Sequence, residues 1–294
     1  MIFVLCPQVC VHTTDDNMND QPTKYRVSTI TCNASISSKV SLEHFFEHVR
    51  IHPDSFVWSE YGAKTKGTRP KKRKGAVDKN GNKKDKKYFD NQVTVIFRME
   101  DGYYPNVKLF RNGNVQMTGI RSPSDGEKAV HTIANEVVRI AKEQEPAIVE
   151  NIADVIAKDF TIRMINCDFG FPFKIRRKNL HQIIISEYEN VCSFQPLTYP
   201  GVKLQYFWNT DASFARQGIC HCIKECFGKG KGTGEGECKK VTIAIFDSGK
   251  ILITGANSFD QVNDAYKYIC DLVWRHKSEV QKVLPIPTNT TVSP

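Results

Sequence analysis

No run of this chain is long and apolar enough to cross a bilayer. The apolar start, MIFVLC, is too short for a secretory signal and lacks its positive flank. The ten cysteines are therefore expected to be reduced thiols rather than a disulfide framework. Catalytic signatures are missing as well. The DFG at 168–170 stands without the other kinase motifs. The Gly/Lys alternation within 220–238 completes no phosphate-binding loop. His44 and His48 share a helical face, but no metalloprotease pattern accompanies them. No nucleophile, base and acid stand out together, so no enzyme is expected.

What is present is 40% apolar and 25% charged residues, the make-up of a globular chain with a sizeable core. The net charge of +9 is concentrated in one place. Residues 64–87 hold twelve Lys/Arg and two Asp, and the rest of the chain sums to −1. Lys71, Lys72, Arg73 and Lys74 are its densest cluster. Such a run reads either as a solvated loop or as a polyanion-binding or nuclear-localisation segment.

The chain also repeats itself. FDSGKILITGANS, Phe246 to Ser258, is a near-copy of FRNGNVQMTGIRS, Phe110 to Ser122, 136 residues earlier. At the same offset Ala129, Ile133 and Val137 correspond to Ala265, Ile269 and Val273, one face of a helix in each half. Ser122 and Ser258 stand where each helix would be capped. Each half reads strand, short helix, several antiparallel strands, long helix. The fold class is therefore α+β, with helices on one face of an antiparallel sheet. The organisation expected is an N-terminal tail, 1–23, a first repeat, 24–145, a connector, 146–157, a second repeat, 158–284, and a C-terminal tail, 285–294. The basic stretch 64–87 interrupts the first repeat and a Cys/Gly-rich stretch, 210–239, the second; both look like loops.

Alternation assigns the hairpin faces. With a three-residue loop, Asp247-Ser248-Gly249, Ile245 opposes Ile251 and Ala244 opposes Leu252, and the two strands agree on which side is apolar. In the earlier copy Val107, Leu109, Val115 and Met117 face the helices, while Lys108, Phe110, Gln116 and Thr118 face away. The second face is too polar for a core, yet each copy puts one Phe beside its turn. One exposed Phe per hairpin would be ordinary; its repetition at duplicated positions points to a contact surface.

These segments resemble the TATA-binding protein family. The likeness rests on the hairpin Phe246 to Ala256, on CDFGFPFKI at 167–175 and on SFQPLTYPG at 193–201. It covers roughly 24–145 and 158–281, and the size of the insertions looks more like a large-DNA-virus version than a cellular one. The resemblance implies a saddle: two quasi-symmetric repeats forming one curved sheet, the concave face in the DNA minor groove, helices on the convex face. It implies that Phe110 and Phe246 are wedges between base steps, joined by Tyr199 and, in the first half, by the position that strict alignment puts at Gln92 and the nearest aromatic at Phe89. Val27, Gln116, Thr118, Met164, Leu252 and Thr254 would line the groove, and Arg98 and Lys250 would meet phosphates. The implied partners are double-stranded A·T-rich promoter DNA, general transcription factors and RNA polymerase, with no membrane. The implied location is the nucleus or, for a viral protein, a cytoplasmic viral factory or the virion; no cofactor is required. The chain departs from the family pattern: its two central Asn appear as Tyr25 and Ile162, two basic positions as Asn114 and Gln205, and an acidic pair as Gln195 and Leu197. Those losses keep a second reading open, in which the fold has lost specific DNA binding and serves protein assembly or non-specific nucleic-acid binding. A third, the fold as an appendage of a nucleic-acid enzyme, lacks a catalytic domain here.

One further signal stands outside the resemblance. Cys220, Cys222, Cys226 and Cys238 are close enough to hold zinc, but their spacing is not a standard zinc pattern, and free thiols are the other reading.

Overall fold

The computed structural model describes residues 21–70, 88–144 and 148–282. Runs with Val, Ile, Leu or Met at every second position bury one side of a strand. Here such runs assemble until one whole face of a sheet is covered. The first half runs β1 (Arg26–Ser35), α1 (Leu42–His48), β2 (Phe56–Tyr61), β3 (Lys64–Gly67), β4 (Gln92–Phe97), β5 (Asn106–Phe110), β6 (Asn114–Ile120) and α2 (Pro123–Glu143). The second runs β7 (Lys158–Gly170), α3 (Arg177–Glu187), β8 (Cys192–Ser193), β9 (Val202–Trp208), β10 (Ala215–Arg216), β11 (Ile219–Cys220), β12 (Lys239–Ile245), β13 (Lys250–Ala256), α4 (Phe259–Arg275) and α5 (Lys277–Val280).

Eleven strands make one open antiparallel sheet in the order β3-β2-β4-β5-β6-β1-β7-β13-β12-β9-β8. The order reads alike outward from the central pair, β1 and β7, so the halves are quasi-symmetric and join into one saddle. The expected α+β class stands. Ile30 pairs with Ile165 in the middle, both fully buried beneath the helices. α2 buries Ala129, Val130, Ile133, Val137 and Ile140 on that face, and α4 buries Val262, Ala265, Ile269, Leu272 and Val273. Both long helices are capped as the sequence suggests: Ser122 Oγ accepts from Asp125 N at 3.1 Å and Ser258 Oγ from Gln261 N at 3.3 Å. No helix among the described residues is long and apolar enough to cross a membrane.

Two aromatics tie the halves together. Tyr25, at the start of β1, crosses to the second half's helix, where its hydroxyl donates to Asn263 at 2.6 Å and its ring meets Tyr266 edge-on at 5.4 Å. Phe160, near the start of β7, packs in turn on α2, against Gly126, where a Cβ would lie 2.6 Å from the ring.

The insertions differ from the expectation of plain loops. Lys64–Gly67 forms β3, paired in register with β2, because Lys64, Thr65 and Lys66 continue an edge that tolerates polar side chains on both faces. In the second half β12 already begins at Lys239, so the interruption is 209–238, and it carries its own two-stranded sheet, β10–β11. Lys71, Lys72, Arg73 and Lys74 lie outside the described residues, as does most of the two tails.

Candidate nucleic-acid interface

The two hairpin turns are built alike. Ile245 opposes Ile251 and Ala244 opposes Leu252, while Leu109 opposes Val115 and Lys108 opposes Gln116, as alternation requires. Gly113 and Gly249 take φ of +81° and +84°, the left-handed region that completes a three-residue loop. Each turn is then fastened to the segment that follows the first strand of its half. Ile36 N–H donates to Gly113 O at 3.0 Å and Val40 N–H to Arg111 O at 2.9 Å. Correspondingly, Phe171 N–H donates to Gly249 O at 3.0 Å and Ile175 N–H to Asp247 O at 2.9 Å. Phe110 and Phe246 sit half-buried beside these turns on the face without helices. Their place is therefore set by backbone bonds rather than by a flexible loop, which is the pre-organisation an inserting ring needs.

Around Phe246 the second half adds Tyr199, whose ring lies 5.9 Å away, with Lys203 Nζ 4.0 Å over that ring. Gly201 fits between them, since a Cβ would meet the Tyr199 ring at 2.8 Å. In the first half Gln92 pairs with Phe110, the place that Gly201 takes beside Phe246. Phe89, 56% exposed, stands just before it and lines a small cleft with Tyr88, Gln92, Thr94 and Lys108. Tyr88 was not singled out in the sequence; its neighbour Phe89 was.

The floor of the face follows from register. Thr31 pairs with Met164 and Thr29 with Asn166 at the centre; Gln116 with Asn33 and Thr118 with Asn106 on one side; Leu252 with Asp168 and Thr254 with Thr242 on the other. Met164, Gln116, Thr118, Leu252 and Thr254 thus share the helix-free face. Val27 does not. It pairs with Cys167, which shares the buried side with Ile253, and it packs on the core. The same applies to Tyr25 and to Ile162, which pairs with the buried Cys32. The physical reason is a bulge in each central strand, one extra residue at Ser28 in β1 and one at Arg163 in β7, which reverses the alternation beyond it. Sequence alternation alone could not show that reversal. Asn33 and Asn166 keep their place on the face by plain alternation with Thr31 and Met164, and their Oδ1 atoms are buried with no hydrogen-bond partner in the protein.

Charge is unequal between the halves. Two equivalent clefts flank the centre. One, of ≈ 490 Å³, is lined by Phe110, Asn33, Asn114, Gln116 and Asp159; the other, of ≈ 470 Å³, by Lys24, Arg26, Asp168 and Lys250. Arg26 Nε donates to both carboxylate oxygens of Asp168 at 2.8 Å, and Ser28 Oγ donates to one at 3.0 Å. These bonds, Arg26 foremost, hold the Asp168 carboxyl below the usual carboxylate range. Lys250 is exposed and lies in the hairpin opposite Phe246, whose N–H donates to Lys250 O at 2.9 Å. Arg98 is not so placed. Its guanidinium bonds Asp54 at 2.9 Å, in a cleft that Lys128 and Thr132 of α2 also line, because the chain leaves the sheet after Phe97. Away from the face, the thiols of Cys220, Cys222, Cys226 and Cys238 converge, all within 4.8 Å of one another.

A family model described as transcription factor TFIID (or TATA-binding protein, TBP) matches residues 232–276. A "TATA-box-binding protein-like" protein of Acanthamoeba polyphaga mimivirus is 26% identical over 283 residues, which cover 92% of this chain and 70% of that protein. The solved structure of Methanococcus jannaschii TBP superposes with a TM-score of 0.46 at 17% identity, covering 86% of this chain and 99% of that one. The chain is thus similar to the TATA-binding protein family, by the family model in its second half and by the mimivirus protein along most of its length.

Proposed function

We propose that this protein is a non-enzymatic transcription initiation factor of the TATA-binding-protein type, which binds duplex DNA in the minor groove and bends it. The observation that carries the reading is the pair of fastened turns, each presenting a Phe at one end of a helix-free sheet face. Phe110 and Phe246 enter base steps, with Tyr199 and Phe89 beside them. Thr29, Thr31, Met164, Thr118 and Thr254 make a flat, mildly apolar floor that reads width and deformability more than letters. Unstacking a step costs about a few kcal/mol, which the contact of a broad face with a bent duplex offsets. Lys24 and Lys250, in the cleft at the Phe246 end, make that end the stronger phosphate contact, so the duplex lies in a preferred direction. The promoter DNA is A·T-rich in this reading, and general transcription factors and RNA polymerase are the assembling partners, in the nucleus or in a viral factory.

Fluorescence transfer between the ends of a labelled A·T-rich duplex tests it. Phe110→Ala and Phe246→Ala should each lessen bending and together abolish it. Undiminished bending by the double variant would sink the proposal. A second reading is favoured by Leu197, which is fully exposed at 101% beside Gln195 where the family carries acidic residues. There the fold serves protein assembly or non-specific nucleic-acid binding. Gel shifts of A·T-rich and G·C-rich duplexes at two salt concentrations separate the two: preference supports promoter binding, and salt-sensitive indifference or no shift supports the second.

A further inference from the structure

The segment 209–238 has no apolar core of its own. Cys238 is the one hydrophobic residue in it that is buried, while Ile223 and Phe227 are 95% and 62% exposed. It is nevertheless folded tightly. Gly230 has no room for a side chain, since a Cβ would lie 2.3 Å from Glu237 O; at Gly232 a Cβ would strike the Trp208 ring at 2.3 Å, and at Gly228 Cβ of Lys240 at 2.5 Å. Thr210 N–H donates to Gly232 O at 2.8 Å and Lys240 N–H to Gly228 O at 2.8 Å, so the segment is laced to the ends of β9 and β12. Backbone bonds of this kind do not hold an exposed loop in one conformation against its chain entropy. Something at its centre must.

At that centre are four sulfurs. Cys222 Sγ lies 3.4 Å from Cys238 Sγ, Cys238 Sγ lies 3.8 Å from Cys220 Sγ, and all four, with Cys226, lie within 4.8 Å of one another. A tetrahedral zinc with sulfur ligands at about 2.3 Å sets its sulfurs about 3.8 Å apart, a separation within that range. N–H groups are turned toward the sulfurs as they are toward metal-bound thiolates: Gly236 N–H donates to Cys222 Sγ at 3.2 Å and Asn209 Nδ2 to Cys238 Sγ at 3.4 Å. Four thiolates this close repel one another unless a cation sits among them.

We propose that Cys220, Cys222, Cys226 and Cys238 bind one structural Zn²⁺, closed to solvent ligands, which folds segment 209–238 and rivets it to the β9–β12 end of the sheet. Zinc is preferred to a hard cation because every donor is sulfur. The site contributes nothing to the sheet face itself, so its loss unfolds the segment and spares the saddle.

The test uses the full chain, purified without chelator and dialysed exhaustively. Elemental analysis should find about one zinc per chain, falling at least about fivefold in Cys222→Ser and Cys226→Ser. Removing the metal from the wild-type chain should expose segment 209–238 to limited proteolysis and shift the emission of Trp208, which packs against Gly232, while far-UV circular dichroism changes little. Absence of bound metal in the wild type, iron in its place, or a Cys222–Cys238 disulfide by mass spectrometry would overturn the proposal. So would a segment that resists protease equally with and without zinc.

Discussion

Gly249→Ala probes how the ring-bearing turns are held. Gly249 sits at φ +84°, and a Cβ there would lie 2.3 Å from Phe173 O and 2.8 Å from Phe171 O. Two costs arise. The left-handed conformation costs an L-residue about 1–2 kcal/mol. Backbone cannot swing aside like a side-chain tip, so the clash forces a shift worth about a further 1–3 kcal/mol. Gly102 isolates the first cost, since it has φ +74° with nothing within 4 Å. Gly102→Ala should therefore lose about 1–2 kcal/mol and Gly249→Ala about 2–5 kcal/mol. Gly113→Ala should match Gly249→Ala, because its Cβ would lie 2.3 Å from Ser38 O. Urea unfolding of the three variants measures this. Gly249→Ala should also weaken DNA bending with Phe246 intact. Equal losses at Gly249 and Gly102, within about 0.5 kcal/mol, would refute the view that the turn is braced by the segment after β7.

Other expectations follow from the same geometry. Lys250→Gln should reduce the slope of log affinity against log salt by about 1, whereas Arg98→Gln, already paired with Asp54, should leave it nearly unchanged. Asp168→Asn should lower stability at neutral pH. The Asp168 carboxyl is depressed in the fold, so its contribution is full above the unfolded value of about 3.9 and vanishes as pH falls through the lower folded value. The gap in urea midpoints between wild type and variant should close as pH falls through the depressed folded value; a gap that persists in acid below it would assign the loss to packing instead. Ser258→Ala and Ser122→Ala should each lower stability by about 1 kcal/mol, read by thermal melting, through loss of the bond to Gln261 N or Asp125 N.

Much of this was legible in the sequence because strand alternation has period two and hairpin loops come in few lengths. The pairing of Ile245 with Ile251 follows from those facts alone, and so does the exposure of Phe110 and Phe246. The central strands were not legible by the same rule. Ser28 and Arg163 each add one residue to a strand, and the faces of Tyr25, Val27 and Ile162 reverse. Nothing in the local composition marks either bulge. Arg98 was placed by the resemblance alone, and the chain has already left the sheet after Phe97, where Arg98 turns to Asp54. The four cysteines are separated irregularly, and only the two-stranded turn β10–β11 brings the first pair against Cys238.

Tyr25 reaching onto α4 and Phe160 onto α2 make a reciprocal latch across the midline. Each half carries the other's fastener, so neither can rotate away without stripping an aromatic ring from the opposite helix. A molecule locked in this way has no hinge at its waist. Whatever settles against its hollow side must supply the yielding, and a stiff partner would simply fail to seat.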